Sequence, residues 1–585
     1  MLANELKLLF EQGNYSSVVT ELRPKFNARS IVCFGEEEAL LLFLLVRALN
    51  HMGESKESVQ VFQAVRQQLA PNQLKNYRII LPLLVAQMCI NWRMGDLNEL
   101  QRLLSEGDRV IRQLTSEEVA DANYWIAQVK FFQGNYLHDK GEFDQALGCH
   151  QESLALFELL GEDYEVTSVL NRLGINYRDK GNLTTALEYF QMCLAKRRAL
   201  GNQMDIARSL NNIGVVYREL GDLDKSLAYY SQNIPIFDSF EDKTPLATTY
   251  NNIAIIYNGK GDHLLALDYH RKALALRESI GNKRDIAASL NNLGVVYIER
   301  GELTEAFACQ QASLRIREEL GSDHDIAGSL TNIGQIHHER GEVEEALACL
   351  RRSVEMKLKV GNDISTALSL FFLLLVLLDH PTSNEQEVTG VVSQLEELDE
   401  RNHNPMITTW MRLGKALYLK VQTDLAAKTT AKALLEQLVA ERVSVSTLHA
   451  LATLSLADLL LEELGRNNDT TVFLRITKLV DETFQTAYDR KKTPLAIQTL
   501  ILRARLEFAG TDLSKALEYL EMGRSLAEQR SLPLLLAKVN EEVQNITQDF
   551  YRLQNTQKAD QLQVVLKHAH VSSYLAKALA VVTTF

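Results

Sequence analysis

A repeat length of 40 residues constrains this chain more than any other feature. "RSLNNIGVVYRELGDLDKSLAYY" occupies residues 208–230, "TTYNNIAIIYNGKGDHLLALDYH" starts 40 residues later, and "ASLNNLGVVYIERGELTEAFACQ" 40 after that. Gly141, Gly181, Gly221, Gly261, Gly301 and Gly341 keep the interval. A second series runs through Gly161, Gly201, Gly281, Gly321 and Gly361, with Glu241 at the missing place. The two glycines cut each unit into two segments of about 20 residues. Both segments carry apolar residues at helical spacing, as in Leu210, Ile213, Gly214 and Tyr217, then Leu223, Leu227, Tyr230 and Ile234.

Glycine fits a helix end, where the chain turns through positive φ. The acidic residues that follow, Asp222, Asp262, Glu142, Glu302 and Glu342, fit the first turn of the next helix. Asp205, Asp285 and Asp325 are expected to do the same before the first helix of their units. Each unit therefore reads as helix, tight turn, helix, short loop. Small residues recur in the second helix (Ala146, Ala186, Ser226, Ala266, Ala306, Ala346) and at one place in the first (Gly174, Gly214, Ala254, Gly294, Gly334). Glycine within a helix costs about 1 kcal/mol relative to alanine, so its recurrence points to close helix contact. One hairpin cannot bury its apolar face; stacked neighbours do. At 585 residues the chain exceeds what one core supports, which agrees with an array.

The pattern resembles the tetratricopeptide repeat, whose first helix reads W-x2-L-G-x2-Y, followed by Gly, then Ala and an aromatic residue. Leu210, Ile213, Gly214, Tyr217, Gly221, Ser226 and Tyr230 match it, as do Trp410, Leu413, Gly414 and Ala426. The 40-residue period is similar to that of kinesin light chain, LGN-type adaptors, Rap-type peptide sensors and MalT-like sensor regions. The resemblance implies an all-α fold, a right-handed superhelical solenoid of stacked antiparallel helix pairs. It is regular over 122–378 and degenerate over 1–121 and 379–585, where the last stretch, 571–585, is expected to be a capping helix. Pro235 falls inside a second helix and reads as a local bend or a hinge.

The asparagine pair within each first helix carries the functional reading. Asn212, Asn252, Asn292 and Asn332 recur at one place, with Arg172 in the first copy. A helix turns about 100° per residue, so residues four before and three after share the face. That stripe holds Arg208 and Val215 around Asn212, Ile255 beside Asn252, Val295 beside Asn292, Gln335 beside Asn332, and Ile175 beside Arg172. In tetratricopeptide repeats this face lines the concave groove, and an asparagine there clamps the backbone of a bound peptide. An amide offers donor and acceptor together, which suits an extended chain. The other reading has these amides bonding adjacent repeats. Asn171, Asn211, Asn251 and Asn291 lie off the stripe and are read as structural. Arg172 and Arg208, with Asn212, are read either as a carboxylate site or as partners of Asp179 and Glu219.

The remaining features restrict function. A net charge of −13 argues against nucleic acid as a partner. The longest apolar run, 367–378, is broken by Ser369 and falls short of the roughly 20 residues of a membrane helix. The N-terminus lacks the pattern of a secretory leader. Six cysteines show no metal spacing, and Cys149, Cys193, Cys309 and Cys349 sit at packing positions of the repeat, which predicts reduced thiols in the cytoplasm. His337 and His338 are neighbours on different helix faces, so they make a poor metal pair. His568 and His570 have no ligand cluster near them in sequence. No phosphate-loop, dinucleotide, zinc-protease or nucleophile-elbow motif occurs. No catalytic residue, cofactor or metal is expected. The expectation is a scaffold that binds a partner protein or peptide; the alternative is a sensor for a small peptide or metabolite.

Overall fold

The computed structural model describes residues 2–27, 34–70, 73–240, 243–379, 384–402, 404–441, 446–467, 470–489, 492–509 and 512–555. The expected terminal helix over 571–585 and the His568/His570 pair lie outside the described residues. Among those described, the chain forms 27 α-helices and no strand. They group into two compact units, Met1–Thr249 and Tyr250–Phe585.

The first unit holds α1 (Leu2–Glu11), α2 (Tyr15–Asn27), α3 (Glu36–His51), α4 (Ser55–Arg66), α5 (Tyr77–Met94), α6 (Leu97–Arg112), α7 (Ser116–Asp139), α8 (Phe143–Leu160), α9 (Asp163–Asp179), α10 (Leu183–Leu200), α11 (Gln203–Glu219) and α12 (Leu223–Asp238). Helix α13 (Thr244–Lys260) contains the division. The second unit continues with α14 (His263–Ile280), α15 (Lys283–Arg300), α16 (Leu303–Leu320), α17 (Asp323–Glu339), α18 (Val343–Val360), α19 (Asp363–Asp379) and α20 (Glu385–Asn402). It ends with α21 (Pro405–Val421), α22 (Leu425–Ala440), α23 (Ser446–Asn467), α24 (Thr470–Asp489), α25 (Thr493–Ala509), α26 (Leu513–Gln529) and α27 (Pro533–Asn555). Within each unit, consecutive helices pair and each pair packs on the next. Pro235 lies inside α12.

The glycines act where the period predicts. Gly221 (φ 81) turns the chain between α11 and α12, and Gly281 (φ 81) ends α14. Asp222 and Asp262 cap the following helices by accepting the backbone N–H of Lys225 and Leu265. Before α11 and α15 the cap differs from expectation. Asn202 and Asn282 accept the N–H of Asp205 and Asp285, which are the third helical residues. Those aspartates accept in return from the asparagine amides, at 3.0 and 2.9 Å. A reciprocal pair satisfies more of the helix end than one aspartate could.

Small residues mark close helix contact. A Cβ on Gly214 would lie 2.8 Å from Tyr230 Cε1, and one on Gly334 would lie 2.7 Å from Leu350 Cγ. Ala146, Ala186, Ser226, Ala266, Ala306 and Ala346 are fully buried opposite. Ser226 also donates to the carbonyl of Gly214 at 2.6 Å. Tyr177–Tyr189, Tyr217–Tyr229 and Tyr257–Tyr269 stack within hairpins, with ring centroids 5.4 to 5.6 Å apart. His150 lies over Gly134, held between Asn135 (3.2 Å) and Asn176 (3.0 Å).

A basic clamp joins each of several pairs to the next. Arg197 of α10 donates to the Asp205 carbonyl and the Ser209 hydroxyl of α11, both at 2.9 Å. Arg277 does the same to Asp285 and Ser289, and Arg317 to Asp325 and Ser329. Lys357 reaches the Ser365 carbonyl, Ser369 and Thr331. Phe157 and Phe237 stand at this place in two other copies. The described cysteines other than Cys193 are half-buried, and all are free thiols.

Candidate functional site

The first-helix stripe in the first unit is half-buried at Arg172, Ile175, Arg208, Asn212 and Val215. Asn212 donates one amide N–H to Asn171 Oδ1 at 2.8 Å, across one repeat. The bond fixes the amide plane and leaves the Asn212 oxygen as an acceptor.

Arg172 sits on α9 with its guanidinium carbon 5.3 Å from the centre of the Trp92 ring. Its Nε and Nη2 make no hydrogen bond. Burial lowers its pKa, while Asp139 and Asp179 act the other way. Asp179 is engaged by His138 Nε2 (2.9 Å) and Arg178 (2.7 Å), and Asp139 accepts from Trp92 Nε1 at 3.1 Å. These two carboxylates raise the His138 pKa. Arg208 is held at the far end of α11 by Asp205 and by His51 of α3, both at 3.2 Å. Of the two guanidiniums, that of Arg172 holds two buried nitrogens without a partner.

In the second unit the stripe divides into an open and a closed part. Asn252, Ile255 and Asn292 are half-buried. Val295, Asn332 and Gln335 are 1, 6 and 2% exposed. Asn292 donates to Asn251 at 2.9 Å and Asn332 to Asn291 at 3.0 Å, the same bond as in the first unit. The off-stripe asparagines 171, 251 and 291 are thus acceptors between repeats.

The closed part coincides with a fold-back of the unit's own C-terminal helices. Helix α25 meets α15 and α27 meets α17. Ile298, Leu303 and Ile336 share one core with Ile497, Ile501, Leu532, Leu535 and Val539. Arg530 pairs with Glu302 at 2.8 Å. Lys538 lies close enough to Glu339 to lower its pKa, against a larger rise from burial. None of these contacts follows from the 40-residue pattern, because the partners are some 200 residues apart in sequence. His337 and His338 bond to separate carboxylates: His337 Nδ1 to Glu342 (2.5 Å) and His338 Nε2 to Asp379 (3.0 Å). Among the described residues no helix is long and apolar enough to cross a membrane.

A family model described as "Tetratricopeptide repeat" matches residues 119–199, 205–279 and 285–359. No curated protein sequence matches the chain. Among solved structures, the chain is similar to the apo form of the quorum sensor NprR from B. thuringiensis, at 15% identity and a TM-score of 0.47, over 62% of this chain and 99% of that one. It is also similar to a Rap protein complexed with competence and sporulation factor, at 14% identity and 0.42, over 62 and 100%. A third is aspartyl phosphate phosphatase F from Bacillus subtilis, at 15% and 0.39, over 70 and 94%. The 40-residue hairpins, the glycine turns and the close Gly–second-helix contacts agree with the matched repeats, and the chain carries tetratricopeptide repeats over those matched stretches.

Proposed function

We propose that this protein is a non-catalytic adaptor that binds an extended segment of a partner protein along the first-helix stripe of its first unit, and so assembles or localises that partner. One observation carries the reading. Arg172, Ile175, Asn212 and Val215 form a half-buried stripe in which an oriented amide stands beside a guanidinium with unpartnered nitrogens. The amide suits a peptide N–H, Ile175 and Val215 suit apolar side chains, and Arg172 suits a carboxylate. The partner segment therefore carries an acidic residue or a free C-terminus. The second reading, a sensor for a small peptide or metabolite, is favoured by the closed end of the stripe in the second unit.

The test is a peptide-display selection on the whole protein, followed by affinity measurement for the selected peptides. Arg172→Ala should weaken them about tenfold or more. Asn212→Ala should weaken them clearly more than Asn171→Ala, which breaks the same inter-repeat bond but leaves the stripe intact. Equal losses in the two asparagine variants, or no acidic peptide selected, would sink the reading.

A further inference from the structure

The first-helix ends of the first unit carry a row of basic–acidic pairs 40 residues apart: His138–Asp139, Arg178–Asp179 and Arg218–Glu219. A titratable base thus opens a row whose later copies are permanent cations. His138 Nδ1 lies 3.2 Å from Asp139 Oδ1, and its Nε2 lies 2.9 Å from Asp179 Oδ2 on the next pair. Trp92 Nε1 donates to the other Asp139 oxygen, and Arg178 to the other Asp179 oxygen. Burial raises the pKa of both aspartates, but these hydrogen bonds outweigh it and hold both below the usual carboxylate range. An ionised carboxylate only accepts. A ring with a carboxylate at each nitrogen must therefore donate twice, and only the imidazolium has two N–H groups.

The charge balance of the cluster depends on that proton. Asp139 and Asp179 face three cations, His138, Arg172 and Arg178. Arg218 and Glu219, next along the row, lie 4.0 Å apart and balance each other. His150 of α8 adds no charge, since burial and Arg172 lower its pKa to about 3. Phe143 of α8 meets the His138 ring edge-on, with centroids 5.5 Å apart. The imidazolium form therefore holds one positive charge in excess, and the neutral form none. Arg172 is where the excess resides. Its Nε and Nη2 are buried without a partner, and Asp139 and Asp179 both act on its charge.

We propose that His138 is a positioning residue for the partner site: as an imidazolium it bridges Asp139 and Asp179 and leaves Arg172 to take an anionic group, and on losing its proton it releases one aspartate to Arg172. The neutral ring has one N–H, so it donates to one aspartate and turns a lone pair to the other. The second contact becomes acceptor against acceptor and opens. The freed carboxylate meets the unpartnered guanidinium nitrogens and neutralises them. Anion binding at Arg172 therefore weakens as pH rises through the His138 titration. The two aspartates raise the His138 pKa, and burial and Arg172 work against them. By reciprocity, an anion on Arg172 raises it further. The effect on a partner protein rests on the partner-binding reading; the bridge itself does not.

Nuclear magnetic resonance on the full chain tests it, with isotope-labelled histidine and arginine and with acetate as the anionic probe. Below its midpoint the His138 ring should show two protonated nitrogens, and the Arg172 Nε–H signal should shift with the same midpoint. Acetate should move the Arg172 signal saturably at low pH. Its dissociation constant should rise by up to about tenfold per pH unit through the titration. In His138→Phe acetate should bind weakly at every pH, as it does to the wild type at high pH. In Asp139→Asn/Asp179→Asn nothing captures Arg172, so acetate should still bind above the midpoint. If His138→Phe fails to fold, the nearly isosteric double variant decides. An Arg172 signal that ignores the His138 titration overturns the proposal. So does the absence of an acetate effect at low pH, or an unchanged pH dependence of acetate binding in either variant. A failure of the partner-binding reading looks different: Arg172 then follows His138 and takes acetate, while the display selection returns no acidic peptide.

Discussion

Replacing one glycine tests the packing logic of the whole array. In Gly214→Ala the new methyl would lie 2.8 Å from Tyr230 Cε1 and 3.0 Å from Cδ1 and Cζ. Carbon atoms prefer separations of about 3.5–4.0 Å, so ring or helix must move by about 1 Å. Overpacking of this kind costs about 1–3 kcal/mol. Better helix propensity returns about 1 kcal/mol, which leaves a net loss of up to about 2 kcal/mol. Gly148 supplies the control. It lies inside α8 with nothing within 4 Å of a built Cβ, so Gly148→Ala should gain about 1 kcal/mol from propensity alone. The repeat next to Gly214 shows the remedy, because Ala254 and His270 hold the corresponding two places. Gly214→Ala/Tyr230→His should therefore lose less stability than the two single losses add up to. Amide exchange in α11–α12 and in α7–α8 reads each local stability, and thermal unfolding reads the whole. A Gly214→Ala protein at least as stable as wild type, or strict additivity in the double variant, would refute the reasoning.

Two further outcomes follow from the basic clamps. Burial pulls the Lys357 pKa down from 10.5 to about 7. The unfolded chain then holds a proton that the folded chain has lost between about pH 7 and 10. Stability should rise through that window by about 1.4 kcal/mol per pH unit. Lys357→Arg keeps a donor but cannot deprotonate, so urea midpoints of the two proteins should diverge from pH 7 to 9; parallel curves would count against a neutral Lys357. Arg317→Met strips the Asp325 carbonyl and the Ser329 hydroxyl of their donor. The loss should be about 2–3 kcal/mol, seen as faster amide exchange in the first turn of α17. Arg315→Met, at an exposed place on the same helix, should leave that exchange unchanged.

The regular part of this fold is legible because its determinants are local. Gly221 and Gly281 mark turns that any chain with those dihedral needs would mark. The small residues at Gly214 and Ser226 announce a close crossing before its partner is known. The clamps carry a signal of equal clarity: Arg197, Arg277, Arg317 and Lys357 each stand twelve residues before Ser209, Ser289, Ser329 and Ser369. They are easily missed because a basic residue in the last turn of a helix also suits the helix dipole in water. Only the structure shows Arg317 with 9% exposure and Lys357 with 3%. The caps before α11 and α15 fail for a similar reason, since Asn202 and Asp205 are both good first-turn residues and composition does not say which one bonds the backbone. The fold-back of α25 and α27 has no periodic sign at all. It depends on where Ile298, Ile336, Leu532 and Val539 meet after many small rotations between pairs, and no local pattern encodes that sum.

The asparagines and the clamps together explain how the stripe keeps its geometry. Helix α15 is tied to both members of the preceding pair: to α13 by Asn292–Asn251 and to α14 by Arg277 with Ser289 and the Asp285 carbonyl. Helix α17 is tied in the same way to α15 by Asn332–Asn291 and to α16 by Arg317. Helix α11 is tied to α9 by Asn212–Asn171 and to α10 by Arg197. Apolar faces alone would tolerate rotation or a small slide, because dispersion and hydrophobic burial are weakly directional. A hydrogen bond between buried groups is not, and losing one costs about 1–3 kcal/mol. Two such ties, to two different helices, fix both the distance and the angle between neighbouring pairs. The spacing between successive stripe residues is then set by the polar ties, while stability comes from the apolar core. A partner that reads Arg172 and Asn212 at fixed separation depends on the first of these. For that reason Asn171, which touches no partner, belongs in the same experiment as Asn212.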